Sequence, residues 1–281
     1  MPTATSKTFL ITGVSSGLGQ AFAAGALEAG HKVIGTVRRA SDADAFAALA
    51  PGRAHPLLLD VTRYDAIPGA VDGAERTAGP IDILVNNAGY GHEGVLEESS
   101  IDELQRQFAA NVFGPVALIK AVLPGMRARR RGHIVNITSM GGFITMPGIS
   151  FYCGSKFALE GISEALGKEL AGFGINVTAL APGQFRTDWA GRSMDRTPRS
   201  IADYDQVMDP IRAARQAKSG AQPGDPAKAA RALLAIIESP KPPSRLFLGS
   251  DALDLVGQKL EAMAAEIATW DELSRSTSFD E

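Results

Sequence analysis

A chain of 281 residues with 45% hydrophobic and 21% charged side chains has the balance of a globular protein able to bury a sizeable core. A net charge of −3 argues against a nucleic-acid surface. The single cysteine, Cys153, excludes an internal disulfide framework and fits a reducing, cytoplasmic setting. The first apolar run leads into a glycine-rich turn rather than a cleavage site, and no run reads as long enough to span a bilayer. Neither a signal peptide nor a membrane partner is therefore expected.

Apolar strand-like runs fall at 8–12, 32–37, 55–60, 81–86, 132–138, 174–180 and 244–249, with helical patterns between them. This alternation predicts an α/β fold in a single domain: a doubly wound parallel sheet of seven strands, covered on both faces. Ligands of such sheets bind beyond the carboxyl ends of the strands.

The first run, Lys7 to Ile11, passes directly into Thr12-Gly13-Val14-Ser15-Ser16-Gly17-Leu18-Gly19 and then an alanine-rich helix that closes at Gly30. Strand, glycine-rich turn and helix N-terminus together make a cradle for a pyrophosphate, because glycine lets the backbone approach and free N–H groups face the anion. The second run ends Thr36-Val37-Arg38-Arg39. An acid at this place binds a ribose 2′-hydroxyl, whereas a basic residue accepts a 2′-phosphate. With no acid and two arginines, Arg38, assisted by Ser15, is expected to favour NADP(H), with NAD(H) also possible. Asp60, after the third run, reads equally simply as a helix cap, as does Thr62.

Further along, Ile81 to Val85 leads into Asn86-Asn87-Ala88-Gly89, and Asn111 falls in a helical stretch. Arg127-Ala128-Arg129-Arg130-Arg131 ends a helix before Gly132, where cations meet the negative end of the helix dipole. Ser139 follows the fifth run, and Tyr152-Cys153-Gly154-Ser155-Lys156 lies in the next helical pattern. Positions i and i+4 share a helix face, so Tyr152 and Lys156 point the same way. A lysine cation near a phenol favours phenolate and is expected to lower a pKa that is ordinarily about 10. Cys153, adjacent to Tyr152, faces elsewhere and reads as packing.

These ordered motifs, from Thr8 to about Gly249, resemble the short-chain dehydrogenase/reductase family. The Thr-Gly-x-x-x-Gly-x-Gly turn, Asn-Asn-Ala-Gly, Asn111, Ser139, Tyr152, Lys156 and Pro182-Gly183 all match in order. Gly35-Thr36-Val37-Arg38 looks most like the 17β-hydroxysteroid dehydrogenase-like and retinol dehydrogenase-like branch. The resemblance implies a Rossmann fold and a nicotinamide cofactor touching Gly13, Ser15, Ser16, Gly17, Leu18, Gly19, Arg38, the pair Asp60 and Val61, Asn87, Ala88, Gly89, Tyr152, Lys156, Pro182, Gly183 and Thr187. It implies that Ser139 holds the substrate oxygen, Tyr152 exchanges the proton, Lys156 tunes Tyr152 and binds the nicotinamide ribose, and Asn111 anchors a water. No metal is implied, and a homodimer or homotetramer is. A non-catalytic NAD(P)-sensing module of the same fold is the alternative, and the complete catalytic set argues against it.

The apolar residues between Ser139 and Tyr152, and those after Pro182-Gly183, suit a hydrophobic alcohol or carbonyl substrate. Phe143, Ile149, Gln184, Phe185 and Trp189 are the expected contacts. Met146, Met194, Tyr204 and Met208 lie in the same segments. His92, in the loop after Asn-Asn-Ala-Gly, reads either as a site-lining residue or, more simply, as a solvent-exposed loop histidine. Residues 188–222 show no clear strand and are expected to form a lid that orders on binding. A C-terminal helix at about 251–270 carries apolar spacing, notably from Ala262 to Trp270, that suits either a pocket cover or a subunit interface.

Overall fold

The computed structural model describes residues 6–279. Its strands are β1 (Thr8–Ile11), β2 (Lys32–Val37), β3 (Ala54–Leu58), β4 (Ile83–Asn86), β5 (Gly91–Glu93), β6 (Gly132–Ile137), β7 (Ile175–Pro182), β8 (Met194–Arg196) and β9 (Arg245–Leu248). Its helices are α1 (Gly17–Glu28), α2 (Ala40–Ala47), α3 (Ile67–Ala78), α4 (Ile101–Phe108), α5 (Gly114–Arg129), α6 (Ser150–Leu170), α7 (Asp205–Ala217), α8 (Pro226–Glu238), α9 (Ser250–Thr269) and α10 (Asp271–Arg275).

Seven strands pair in parallel in the order β3-β2-β1-β4-β6-β7-β9, as expected, and all seven predicted runs are among them. Because successive strand residues face opposite ways, a continuous apolar strand feeds two cores. Phe9, Ile11, Ile83, Val85, Val135 and Ile137 join one buried cluster with Phe22 and Leu27 of α1 and Leu233 and Ile236 of α8. Leu10, Leu84 and Ile134 join the other, with Val71 of α3 and Leu118, Ile119, Val122 and Met126 of α5. Strand order reverses at β1 and β4, and the crevice above that switch point is where a ligand fits.

The sequence expectations need two corrections here. The continuous helical run Ile101–Arg129 is long and apolar enough to cross a membrane by length and composition. Its buried Leu118, Ile119, Val122 and Met126 instead pack on the sheet. Residues 188–222 also contain a strand: β8 pairs in parallel with β5, and α7 follows. This segment is tied to the body by a buried carboxylate. Glu93 on β5, fully buried, faces Arg196 at 3.2 Å, Arg212 at 3.4 Å and Arg215 at 2.9 Å. Removing either side of this network would leave an uncompensated buried charge, which opposes its separation.

The basic run does end a helix. α5 stops at Arg129, Arg130 adopts a left-handed conformation, and Arg129 donates to the Ile81 carbonyl at 2.7 Å.

Candidate active site

The glycine turn is pinned from two neighbouring strands. Thr12 Oγ1 accepts the backbone N–H groups of Asn87 and Ala88 at 2.9 and 2.8 Å, and Asn87 Nδ2 donates to the Thr12 carbonyl at 2.8 Å. Thr36 Oγ1 accepts the N–H of Gly13 at 3.0 Å. Gly13 and Gly17 have φ of 71° and 60°, which favour glycine. At Gly19 a Cβ would sit 2.2 Å from the Gly13 carbonyl oxygen and 2.3 Å from Asn87 Nδ2. No side chain fits there, so α1 starts flush against the turn. This is a preformed cradle whose shape fits a pyrophosphate.

Beside it, the ends of β6 and β7 and the first turns of α6 enclose a cavity of about 420 Å³. Ser139, Tyr152 and Lys156 line it together with Ser16, Gly17, Leu18, Asn87, Gly89, Pro182, Gly183 and Thr187. Ser139 Oγ also accepts the Gly141 N–H at 2.9 Å, so the serine caps a tight turn as well as facing the cavity. Gly13, Ser15, Gly19, Arg38, Asp60, Val61 and Ala88 lie outside the cavity lining. Asp60 Oδ1 accepts from Thr62 N–H at 2.9 Å and from Thr62 Oγ1 at 2.8 Å, which closes a local turn. Neither residue caps a helix, because α3 begins only at Ile67 with Ala66 as its N-cap.

The two arginines after β2 differ in a way the sequence left open. Arg39 is held by Asp42 through two contacts of 2.9 and 2.8 Å. Arg38 is exposed and makes no hydrogen bond or ion pair among the described residues, although its charge is felt at Asp42 and Asp60.

Tyr152 and Lys156 are both buried, at 7% exposure each. The expectation that Lys156 lowers the phenol is corrected. Burial dominates and pushes Tyr152 well above its ordinary value, while the Ser139 hydroxyl pulls it back in part. Burial also depresses Lys156 to about 8, opposed by the charge of Glu160. Lys156 Nζ donates to the Ile137 carbonyl at 2.8 Å and stands 5.8 Å from the centre of the Tyr152 ring.

Asn111 sits in a π-helical turn, Ala109–Phe113, between α4 and α5. Such turns recur at functional sites. Its side chain donates to the Tyr90 carbonyl and to Ser155 Oγ, both at 3.1 Å, and accepts the Tyr90 N–H at 3.2 Å. It therefore lies behind the cavity wall, bracing α6 one residue before Lys156. Cys153 is buried and burial raises its thiol, in keeping with a packing role.

Among the expected substrate contacts, Ile149, Gln184, Phe185 and Trp189 line the cavity, and the Trp189 ring lies 5.0 Å from that of Tyr152. Phe143 does not. It packs on Phe247 at 5.7 Å in a separate apolar cluster, because the turn after Ser139 directs it toward β9. Met208 packs over Gly148, and Tyr204 donates to Glu97 at 2.6 Å. His92 is 1% exposed rather than a surface residue. Its ring stacks on Phe151 at 5.0 Å, and its Nε2 lies 3.0 Å from Thr197 Oγ1.

Ile211, Ala214, Arg215 and Lys218 also line the cavity and escaped the sequence reading. Their i, i+3, i+4, i+7 spacing on α7 was the available signal.

A parallel sheet with this cradle at its switch point and a buried serine, tyrosine and lysine beside it defines a dehydrogenase that works with a nicotinamide dinucleotide. Residues 7–197 match the short chain dehydrogenase family. The oxidoreductase BOA17 of Botryotinia fuckeliana is 37% identical over 97% of this chain and 99% of its own. The 3-ketodihydrosphingosine reductase of Bacteroides thetaiotaomicron is 37% identical over 86% and 88%. A short-chain dehydrogenase structure from Streptomyces avermitilis superposes with a TM-score of 0.91 at 41% identity, covering 98% of this chain and 99% of its own. The chain belongs to the short chain dehydrogenase family and is an NAD(P)-dependent oxidoreductase acting on a small molecule.

Proposed function

We propose that this protein is an NADP-preferring, cytoplasmic oxidoreductase that interconverts a hydrophobic alcohol and its ketone or aldehyde. One observation carries the chemistry. The buried Tyr152 phenol, next to Ser139, opens into a cavity walled by Met140, Met146, Ile149, Trp189 and Ile211. These apolar side chains suit a hydrophobic substrate, and Gln184, Arg215 and Lys218 in the same lining offer it polar contacts. The Bacteroides relative, a 3-ketodihydrosphingosine reductase by name, supports a keto substrate here. Arg38, open at the end of β2 where no acid stands, supports the NADP preference.

The cofactor supplies the hydride when bound. Ser139 hydroxyl holds the substrate oxygen beside Tyr152. Burial keeps the phenol protonated, so Tyr152 is ready to donate to the alkoxide in the direction of reduction. Lys156, depressed to about 8, replaces that proton readily, and Asn111 fixes the helix that carries both. Tyr152→Phe removes the proton but keeps the ring packed against Trp189. It is expected to abolish NADPH-dependent turnover of a panel of hydrophobic ketones and aldehydes while leaving NADPH binding nearly intact. Turnover by this variant at the parent rate would contradict the mechanism.

A further inference from the structure

Helix α9 is nearly unsupported. Of its twenty residues only Ala252 and Val256 are buried, and every side chain from Gln258 to Trp270 is exposed. Yet it displays Leu253 at 59%, Leu260 at 52%, Met263 at 39%, Ile267 at 66% and Trp270 at 57% exposure. Isolated helices are marginal in water, and contiguous apolar surface of this kind marks an interface.

The spacing identifies the partner. Leu253, Val256, Leu260, Met263, Ile267 and Trp270 follow one another at alternating steps of three and four, the a and d positions of a helix-pairing seam. Val256 is where the seam rests on the body, and the remainder is bare. Lys259 and Glu266 flank the seam at g positions, and Gly257 and Ala264 stand at e positions. If two copies lie antiparallel, with Leu260 of each facing Met263 of the other, Lys259 meets Glu266 on both sides of the dyad. Gly257 then faces Ala264 and the backbones approach closely. A parallel pairing would instead set Glu266 beside Asp271 of the second copy. α9 and α10 carry six acids against two bases, which disfavours an anionic membrane surface.

We propose that α9 is an antiparallel pairing element through which two copies of this chain associate. The full-length protein is examined by sedimentation velocity and light scattering. Met263→Lys with Ile267→Lys is expected to halve the mass of the assembly. Lys259→Glu and Glu266→Lys each create like-charge contacts and are expected to weaken this step at least tenfold. The two together restore complementarity and are expected to recover the parent mass, a rescue that loss of helix structure does not produce. Mixed single variants Lys259→Cys and Glu266→Cys are expected to form a disulfide-linked pair on oxidation. An unchanged mass in the double-lysine variant, no rescue by the paired reversal, or no cross-link overturns the proposal. Seam-dependent binding of the protein to anionic or neutral phospholipid vesicles, with no change in mass, overturns it in favour of a membrane.

Discussion

Burying Lys156 in the cavity wall costs stability, and under the proposed mechanism that cost has a measurable pH signature. Burial lowers its pKa from 10.5 to about 8. At about 1.4 kcal/mol per unit, holding this charge in the folded state costs roughly 3 kcal/mol at neutral pH. The sign follows from linkage. Below pH 8 the lysine is charged both folded and unfolded, and the full cost applies. As pH rises from 8 toward 10.5 the folded protein loses the proton first, and the cost fades to about 1 kcal/mol near pH 10. Lys156→Met keeps most of the side-chain volume and removes the charge, at the loss of the hydrogen bond to the Ile137 carbonyl, worth about 1–3 kcal/mol if that oxygen is left unsatisfied. The variant is therefore expected to be inactive yet no less stable than the parent at pH 7. Its advantage relative to the parent shrinks by roughly 2 kcal/mol between pH 7 and pH 10. For a domain of this size that is a relative shift of about 4–8 °C in melting temperature. Thermal melts of both proteins across this pH range provide the check. A Met variant much less stable at pH 7, or a difference independent of pH, would mean that the buried charge of Lys156 carries no such cost.

Gly19→Ala forces a methyl against the Gly13 carbonyl and Asn87 Nδ2, both fixed by the turn. Overpacking of this kind costs about 1–3 kcal/mol, and NADPH affinity, read by fluorescence titration, is expected to fall at least tenfold. An unchanged affinity would show that the cradle is not where the cofactor binds. Glu93→Gln leaves Arg196, Arg212 and Arg215 facing a neutral amide. Loss of a buried partner costs about 3–5 kcal/mol in a fully enclosed site and less here, where the arginines reach solvent. Hydrogen exchange across 194–217 is expected to accelerate, with the sheet unaffected, and equal protection in both proteins would contradict a role for Glu93 in holding the segment.

The sheet was legible because each buried parallel strand is a continuous apolar run, and all seven were located from that signal. β5 and β8 were not, because three residues such as Gly91-His92-Glu93 carry no periodicity. Their pairing depends on the charge network around Glu93, which links residues more than a hundred positions apart. The burial of His92 is illegible for the same reason: it comes from Phe151 and Thr197, both distant in sequence. That Tyr152 and Lys156 line one cavity is legible because they share a helix turn, whereas the direction of the Tyr152 shift is not. Spacing conveys which charges are near but says nothing of how deeply they are buried. Phe143 illustrates a further limit, since an aromatic near the site points into it or away from it according to the turn that carries it.

Thermal stabilisation by NADPH and NADH, measured side by side on the parent and on Arg38→Glu, reports on both cofactor binding and the role of Arg38. A ligand that binds only the folded protein raises stability with its concentration over Kd. NADPH is expected to shift the parent more than NADH does, and Arg38→Glu is expected to lose that preference while keeping its NADH response. An equal or larger shift with NADH in the parent would contradict the role of Arg38, and no shift with either cofactor would contradict the oxidoreductase mechanism itself.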